Sequence, residues 1–272
     1  MAGPARAGRS RGASRIAVTL ACCPVPSRPV TSRPVPRYCL IHDRPHMTDH
    51  LNDLRATINR LDDDILALVR RRMRLAGDII AAKQGKTAYR PGREAAVIER
   101  LAAAAPDVPR QLVANIWRQL MTASTALQDA TLEVAVHHQA MAVAGWHFGG
   151  LVTIRACADL DAVRSRLDAG VGLALVPESC EAEVASWLLA DPGYHLIAST
   201  PPYRSDALPP TWIIGRAPAD PVETEVSLVA SRGADGTAIH RLPGRVEAPV
   251  DGITGDHRVV GVIAAIRDED RP

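Results

Sequence analysis

The sequence predicts an α + α/β chain: three helices in the first half and an α/β domain in the second. Three observations carry that prediction. Apolar residues recur at three- and four-residue steps from Leu51 to Ile80. After Gln128 the pattern changes to short apolar runs separated by helical stretches. Before Met47 the chain is rich in Arg and Pro and has no apolar periodicity.

The chain has 272 residues, 47% of them apolar and 23% charged, ordinary values for a soluble globular protein. With a single Phe and 3% aromatics, the core is expected to be built from Ala, Leu, Val and Ile. No apolar run reaches the length needed to cross a bilayer. Residues 1–46 hold eight Arg against the single acid Asp43, a net +7, which leaves −5 for the rest of a chain whose total is +2. This segment also holds seven prolines and Cys22, Cys23 and Cys39. Such composition disfavours a packed domain, and residues 1–46 are expected to be a disordered extension or a stretch upstream of the true start at Met47. The protein is then expected in the cytoplasm. A secretory signal, with Arg6 to Arg15 as its basic region and Ile16 to Cys23 as its apolar one, is the alternative and implies export. No aromatic and basic platform accompanies this charge in the folded part, so no nucleic-acid partner is expected.

The first helix is predicted over about 35 residues, roughly 50 Å long and longer than a small domain is wide, so it needs partners along its length. Gly85 and the run Tyr89-Arg90-Pro91-Gly92 break it. A second helix follows from about Arg93 to Ala104, with Ala96, Val97, Ile98 and Leu101 apolar. Pro106 and Pro109 mark the next turn. A third helix, about Arg110 to Gln128, carries Leu112, Val113, Ile116, Leu120, Met121 and Leu127. Asp62-Asp63-Asp64 is expected to be solvated helix surface.

The polar residues on these helices carry the chemistry. Arg72 and Lys83 are eleven apart, within roughly 20° of one helix face at about 100° per residue, whereas Arg55 points about 100° away and lies roughly 25 Å back along the axis. One helix thus offers cations to two places, as an anion site built by two chains requires. Arg93 and Glu94 open the second helix, and Ser124 and Gln128 share one face of the third. Three cations, one carboxylate and two neutral hydrogen-bonding groups suit a small dianion bearing a hydroxyl. Taken singly each has a plainer reading: Arg70 to Arg74 as a solvated basic run, Lys83 as a surface lysine, Glu94 as a first-turn acid favoured by the helix dipole.

The segments LRATINRLDDDILALVRRRMRLAGDIIAAK, REAAVIERL and STALQ, in this order and spacing, resemble the all-helical class of chorismate mutases over roughly residues 50–130, within a helical domain expected at 47–130. The resemblance implies an intertwined homodimer of three-helix chains, an isomerase of the shikimate pathway and of aromatic amino acid biosynthesis that turns chorismate into prephenate. It implies Arg72 and Arg93 on the substrate carboxylates, with Arg55 reaching the partner chain's site. Lys83 and Gln128 would donate to the ether oxygen, Glu94 would hold the ring hydroxyl, and Ser124 would support binding. One position departs: where some members carry an Asp in the loop before the second helix, this chain has Arg90. The rearrangement is concerted, so positioning and electrostatics suffice, and no cofactor or metal is expected.

In the second half, residues 131–266, the runs Leu132 to Val136, Leu151 to Ile154, Leu160 to Leu167, Val171 to Val176, Ala182 to Leu189, Tyr194 to Ala198, Thr211 to Ile214, Val226 to Ala230 and Val259 to Ile266 suggest alternating strands and helices of an α/β domain. HFGGLVTIRACADLDAVRSRLDAGVGLALVPES, then WIIGRAP and VSLVAS, resemble a prephenate dehydratase domain, which implies a ligand-binding-like α/β fold. The Gly-rich loop after the first strand and the Thr-Arg-Phe motif of that family are absent. His137-His138 and Pro209-Pro210-Thr211-Trp212 stand there instead, so the domain is expected to be degenerate and without dehydratase activity. Adjacent strand residues face opposite sides, so His137 and His138 are expected not to share an ion. Cys157 and Cys180 offer neither a disulfide framework nor metal spacing. Residues 267–272 read as a charged tail. Two other functions fit the same residues: an isochorismate pyruvate lyase, or a non-catalytic sensor of shikimate-pathway metabolites or aromatic amino acids.

Overall fold

A computed structural model describes residues 46–82, 89–203, 206–234 and 236–265. The expectations for residues 1–45, for Lys83 and for 267–272 lie outside the described residues. Three helices come first: α1 (His46–Ala82), α2 (Pro91–Ala104) and α3 (Arg110–Gln128). The second helix starts two residues earlier than its apolar spacing suggests, because Pro91 occupies the first turn, where its missing N–H costs nothing and its fixed φ suits the helix.

The second half is an eight-stranded mixed sheet with helices. In chain order it runs β1 (Glu133–His137), α4 (Met141–Phe148), β2 (Thr153–Cys157), α5 (Leu160–Asp168), β3 (Leu173–Pro177), α6 (Glu181–Ala190), β4 (His195–Thr200), β5 (Thr211–Gly215), β6 (Glu225–Gly233), β7 (Gly236–Pro243) and β8 (Asp256–Ala264). The strand order is β2-β1-β3-β5-β4-β8-β6-β7. β1 pairs parallel with β2 and β3, which suits the α4 and α5 crossovers, whereas β3 and β5 pair antiparallel. The expected strands and helices all appear. α4 and β7 were not anticipated, since α4 is short and β7 (GTAIHRLP) alternates too weakly to stand out.

Strand alternation sorts the core into two layers. Val134, Val136, Leu175 and Ile213 face α4, where they bury Val143, Ala144 and Phe148 together with Tyr89 from the approach to α2. Ala135, Val176, Trp212 and Ile214 face the other way, onto Val163 and Leu167 of α5 and Val184 and Leu188 of α6. α2 and α3 pack through Ile98, Ala114 and Met121 and take in Tyr203 from the loop after β4. Polar contacts tie the same surfaces together. Trp146 Nε1 donates to Asn115 Oδ1 at 2.9 Å, Thr122 Oγ1 to the His147 carbonyl at 3.0 Å, and Tyr203 Oη to Glu99 Oε2 at 3.1 Å. Residues 55–272 form one compact unit.

α1 is different. Leu51, Leu54, Ile58, Leu61, Ile65, Leu68, Leu75 and Ile79 are between 45% and 63% exposed, and Leu112, Ile116 and Leu127 of α3 are open as well. A periodic apolar stripe left this open among the described residues suits burial against another surface. Asp62, Asp63 and Asp64 are exposed, as expected. No described helix is long and apolar enough to cross a membrane.

The expectation for the two histidines needs correction. His137 ends β1, and the chain turns at once into a 3-10 turn (His138–Ala140), so the two rings lie together with centroids 4.4 Å apart rather than on opposite faces. Strand alternation stops applying where the strand stops. His138 Nδ1 meets the Ala158 carbonyl at 2.6 Å, and among the described residues no group of three or more His, Cys, Asp or Glu is placed to hold a metal ion. Cys157 and Cys180 are both free.

Candidate active site

Arg72, Arg93, Glu94, Ser124 and Gln128 line one cavity of about 450 Å³, bounded by α1, the first turn of α2 and the last turns of α3. Helical spacing accounts for the gathering. Ser124 and Gln128 are one turn apart on α3, and Arg72 lies on the face of α1 that meets them. Ala76, Val97 and Met121 supply apolar wall between the charged groups.

Arg72 is anchored. Its Nη1 donates to the Leu120 carbonyl and to Ser124 Oγ, both at 2.8 Å, while Ser124 Oγ donates to the same carbonyl at 2.8 Å. Burial lowers the pKa of the guanidinium and the charge of Glu94 opposes that shift, but an Arg stays cationic throughout the accessible pH range. A cation stripped of part of its water and held at one end is ready to receive an anion at the other. Arg93, one residue before Glu94, is exposed at the mouth.

Glu94 is buried, and Arg118 of α3, equally buried, donates through Nη2 to Glu94 Oε2. Arg118 also reaches Met121 Sδ at 3.6 Å, and its Nε has no partner among the described residues. Behind this pair Tyr89 Oη lies 3.2 Å from His147 Nε2, and His147 Nδ1 lies 2.8 Å from Thr200 Oγ1. Burial, aided by the charge of Glu94, pushes the Tyr89 phenol up. Burial, aided by the charge of Arg118, pushes His147 well below the ordinary 6.5. Both side chains are therefore neutral at physiological pH and form a buried hydrogen-bonded chain with Thr200.

One expected residue among those described does not join the cavity. Arg55 is exposed, more than four turns back along α1, as its seventeen-residue offset from Arg72 requires. Lys83 lies outside the described residues. Two residues went unrecognised as parts of the site. Arg118 gave no signal, because a buried cation on an amphipathic helix looks like a surface one until its carboxylate is located. Arg90, noted only as a departure, lines the cavity and bonds Asp220.

This constellation of cations around an apolar-walled pocket, on three helices in this order, is what the family comparison addresses. Residues 54–129 match the family model of chorismate mutase type II. That segment is a chorismate mutase domain, which makes the protein an isomerase acting on chorismate. The matched span runs from the first exposed turns of α1 to the residue after Gln128, so it contains the cavity's five expected residues, Arg55 and Lys83. The eight-stranded sheet lies beyond the chorismate mutase match. No curated protein matches the chain. No solved structure matches it either.

Elsewhere, Glu178 after β3 is engaged by Ser199 Oγ at 2.9 Å and by Arg241 Nη2 at 2.7 Å. An open hollow of about 800 Å³ at the carboxyl ends of β1 and β3 is bordered by His137, Asp159, Arg164, Cys180 and Glu183.

Proposed function

We propose that the chain rearranges chorismate to prephenate in the cavity between α1, α2 and α3, in the route to phenylalanine and tyrosine, as a homodimer in which Arg55 of each chain serves the other's site. The observation that carries this reading is the convergence of Arg72, Arg93, Glu94, Ser124 and Gln128 on one cavity of about 450 Å³. Arg72 and Arg93 bind the two carboxylates, for which a planar guanidinium offers paired donors. Gln128 and Lys83 donate to the ether oxygen as the C–O bond breaks and the new C–C bond forms within the same molecule. Glu94, held by Arg118, accepts from the ring hydroxyl, and Ser124 fixes Arg72. A donor aimed at charge that develops only in the transition state contributes about 3–4 kcal/mol.

The dimer is supported by the uncovered stripe on α1. A helix of 37 residues spans about 55 Å, and large apolar residues along it, from Leu51 to Ile79, are between 45% and 63% exposed. Crossing two such helices buries both stripes and carries Arg55 towards the neighbouring cavity. The α/β half we read as a degenerate relative of prephenate dehydratase that serves as scaffold without that activity. The resemblance lacks two motifs, the Gly-rich loop after the first strand and the Thr-Arg-Phe motif.

Following chorismate absorbance on residues 47–272, with product identified by chromatography, tests the whole reading. Prephenate is expected from chorismate, and no phenylpyruvate from added prephenate. Release of pyruvate from isochorismate would indicate the lyase instead, and binding without turnover a sensor.

A further inference from the structure

We propose that Asp220, from the loop between β5 and β6, positions Arg90 as an additional carboxylate-binding group of the mutase cavity, so that the α/β half contributes to substrate binding. This rests on the reading of the cavity as the chorismate site.

Arg90 lines the cavity beside Arg72 and Arg93. Its Nε donates to Asp220 Oδ2 at 2.5 Å, between side chains about one third to two fifths exposed. The loop is seated closely on α2. A Cβ at Gly92 would lie 2.9 Å from the Asp220 carbonyl oxygen and 3.0 Å from Val222 Cγ1, so only glycine lets the loop approach. Val222 N donates to Glu225 Oε1 at 2.9 Å, which secures the other end of the loop at β6. Asp220 is thus held from both sides.

A guanidinium offers five N–H donors in a rigid fork. With Nε given to Asp220, the edge formed by its two Nη groups has no hydrogen-bond partner among the described residues and is the edge offered to a ligand. An unrestrained Arg at a pocket mouth must lose side-chain freedom when it binds, and a carboxylate that already fixes its plane removes that cost. Glu94, the carboxylate within the cavity, is occupied by Arg118, so it does not compete for Arg90. The chain thus places a cation where its resemblance has an acid, and draws the balancing acid from a different part of the fold.

Steady-state kinetics on the full chain test this, with thermal unfolding recorded for each variant. Arg90→Ala is expected to raise KM for chorismate about tenfold and Asp220→Ala about fivefold, the ordinary worth of a charge-assisted hydrogen bond, with kcat changed less than about twofold. Asp220→Asn, which keeps an acceptor for Nε, is expected to recover most of the loss. The double variant Arg90→Ala/Asp220→Ala is expected to be no worse than Arg90→Ala alone. An unchanged KM in either single variant, effects that multiply in the double variant, or a fall in kcat and melting temperature without a rise in KM would overturn the proposal. If Asp220→Ala loosens the loop, Asp220→Asn and Arg90→Lys carry the same comparison. Absence of turnover in the wild-type chain overturns the functional reading and this proposal together, whereas turnover with unchanged KM in the variants overturns this proposal alone.

Discussion

Arg118 of α3 reaches Glu94 in the first turn of α2, and the two form a buried ion pair, with Glu94 lining the cavity between α1, α2 and α3. Breaking such a pair from one side is costly because the remaining charge stays buried without its partner. Arg118→Leu is therefore expected to destabilise the fold by about 3 kcal/mol, in the range for an uncompensated buried charge. Glu94→Gln added to it should return part of that loss. Urea titrations of the two variants and the wild type check this, and additive losses would show that the pair is not coupled.

Arg72 is fixed by Leu120 and Ser124 through Nη1 and lines the cavity between the three helices. Arg72→Ala is expected to lower kcat/KM by about 10²-fold or more, and Lys83→Ala likewise, the size found when one preorganised donor to transition-state charge is removed. Circular dichroism should show unchanged helix content. Near-wild-type turnover in both variants would remove the catalytic assignment.

Arg55 and Arg72 of one chain are too far apart along α1 to serve one cavity. In a crossed dimer, a mixture of Arg55→Ala and Arg72→Ala chains forms heterodimers in which one site has both arginines intact and the other has neither. Random pairing of equal amounts should restore about one quarter of wild-type sites, since half the dimers are mixed and each regains one of two. Each variant alone should be inactive. A mixture no more active than its components would exclude sharing.

His147 is buried between Tyr89 and Thr200, and its folded pKa is depressed well below 6.5. The sign follows directly. The unfolded chain takes up the proton more readily, so the stability linked to neutral His147 is present above about pH 6.5 and is lost as pH falls towards the folded value, at up to about 1.4 kcal/mol per pH unit. His147→Gln, which cannot titrate, should show a shallower fall in urea midpoint between about pH 6.5 and 5, together with a lower midpoint at pH 8 from its altered hydrogen bonds. Parallel pH profiles would show that His147 does not carry this dependence.

Helical periodicity made α1, α2 and α3 legible almost to the residue, because the 3.6-residue repeat writes burial directly into the sequence. The cavity residues Arg72, Arg93, Glu94, Ser124 and Gln128 were legible for the same reason: their offsets along helices place them on shared faces. β7 was not legible, since Gly236–Pro243 has one buried residue, Ile239, and edge strands need little apolar alternation. The orientation of His137 and His138 was misread because alternation holds only while the strand continues.

The sequence by itself determined which helices form, which polar residues they bring to one cavity, and that one helix points cations in two directions. Those properties depend on spacing along a single helix, and helix geometry is local. Only the tertiary structure decided the partners of those charges. Arg118 meets Glu94 across 24 positions, and Arg90 meets Asp220 across 130. Nothing in the local sequence ranks one distant carboxylate above another. The choice falls to whichever the packing of α3 and of the loop after β5 brings within hydrogen-bond reach, since a buried or half-buried charge is stable only where an opposite one has been delivered to it.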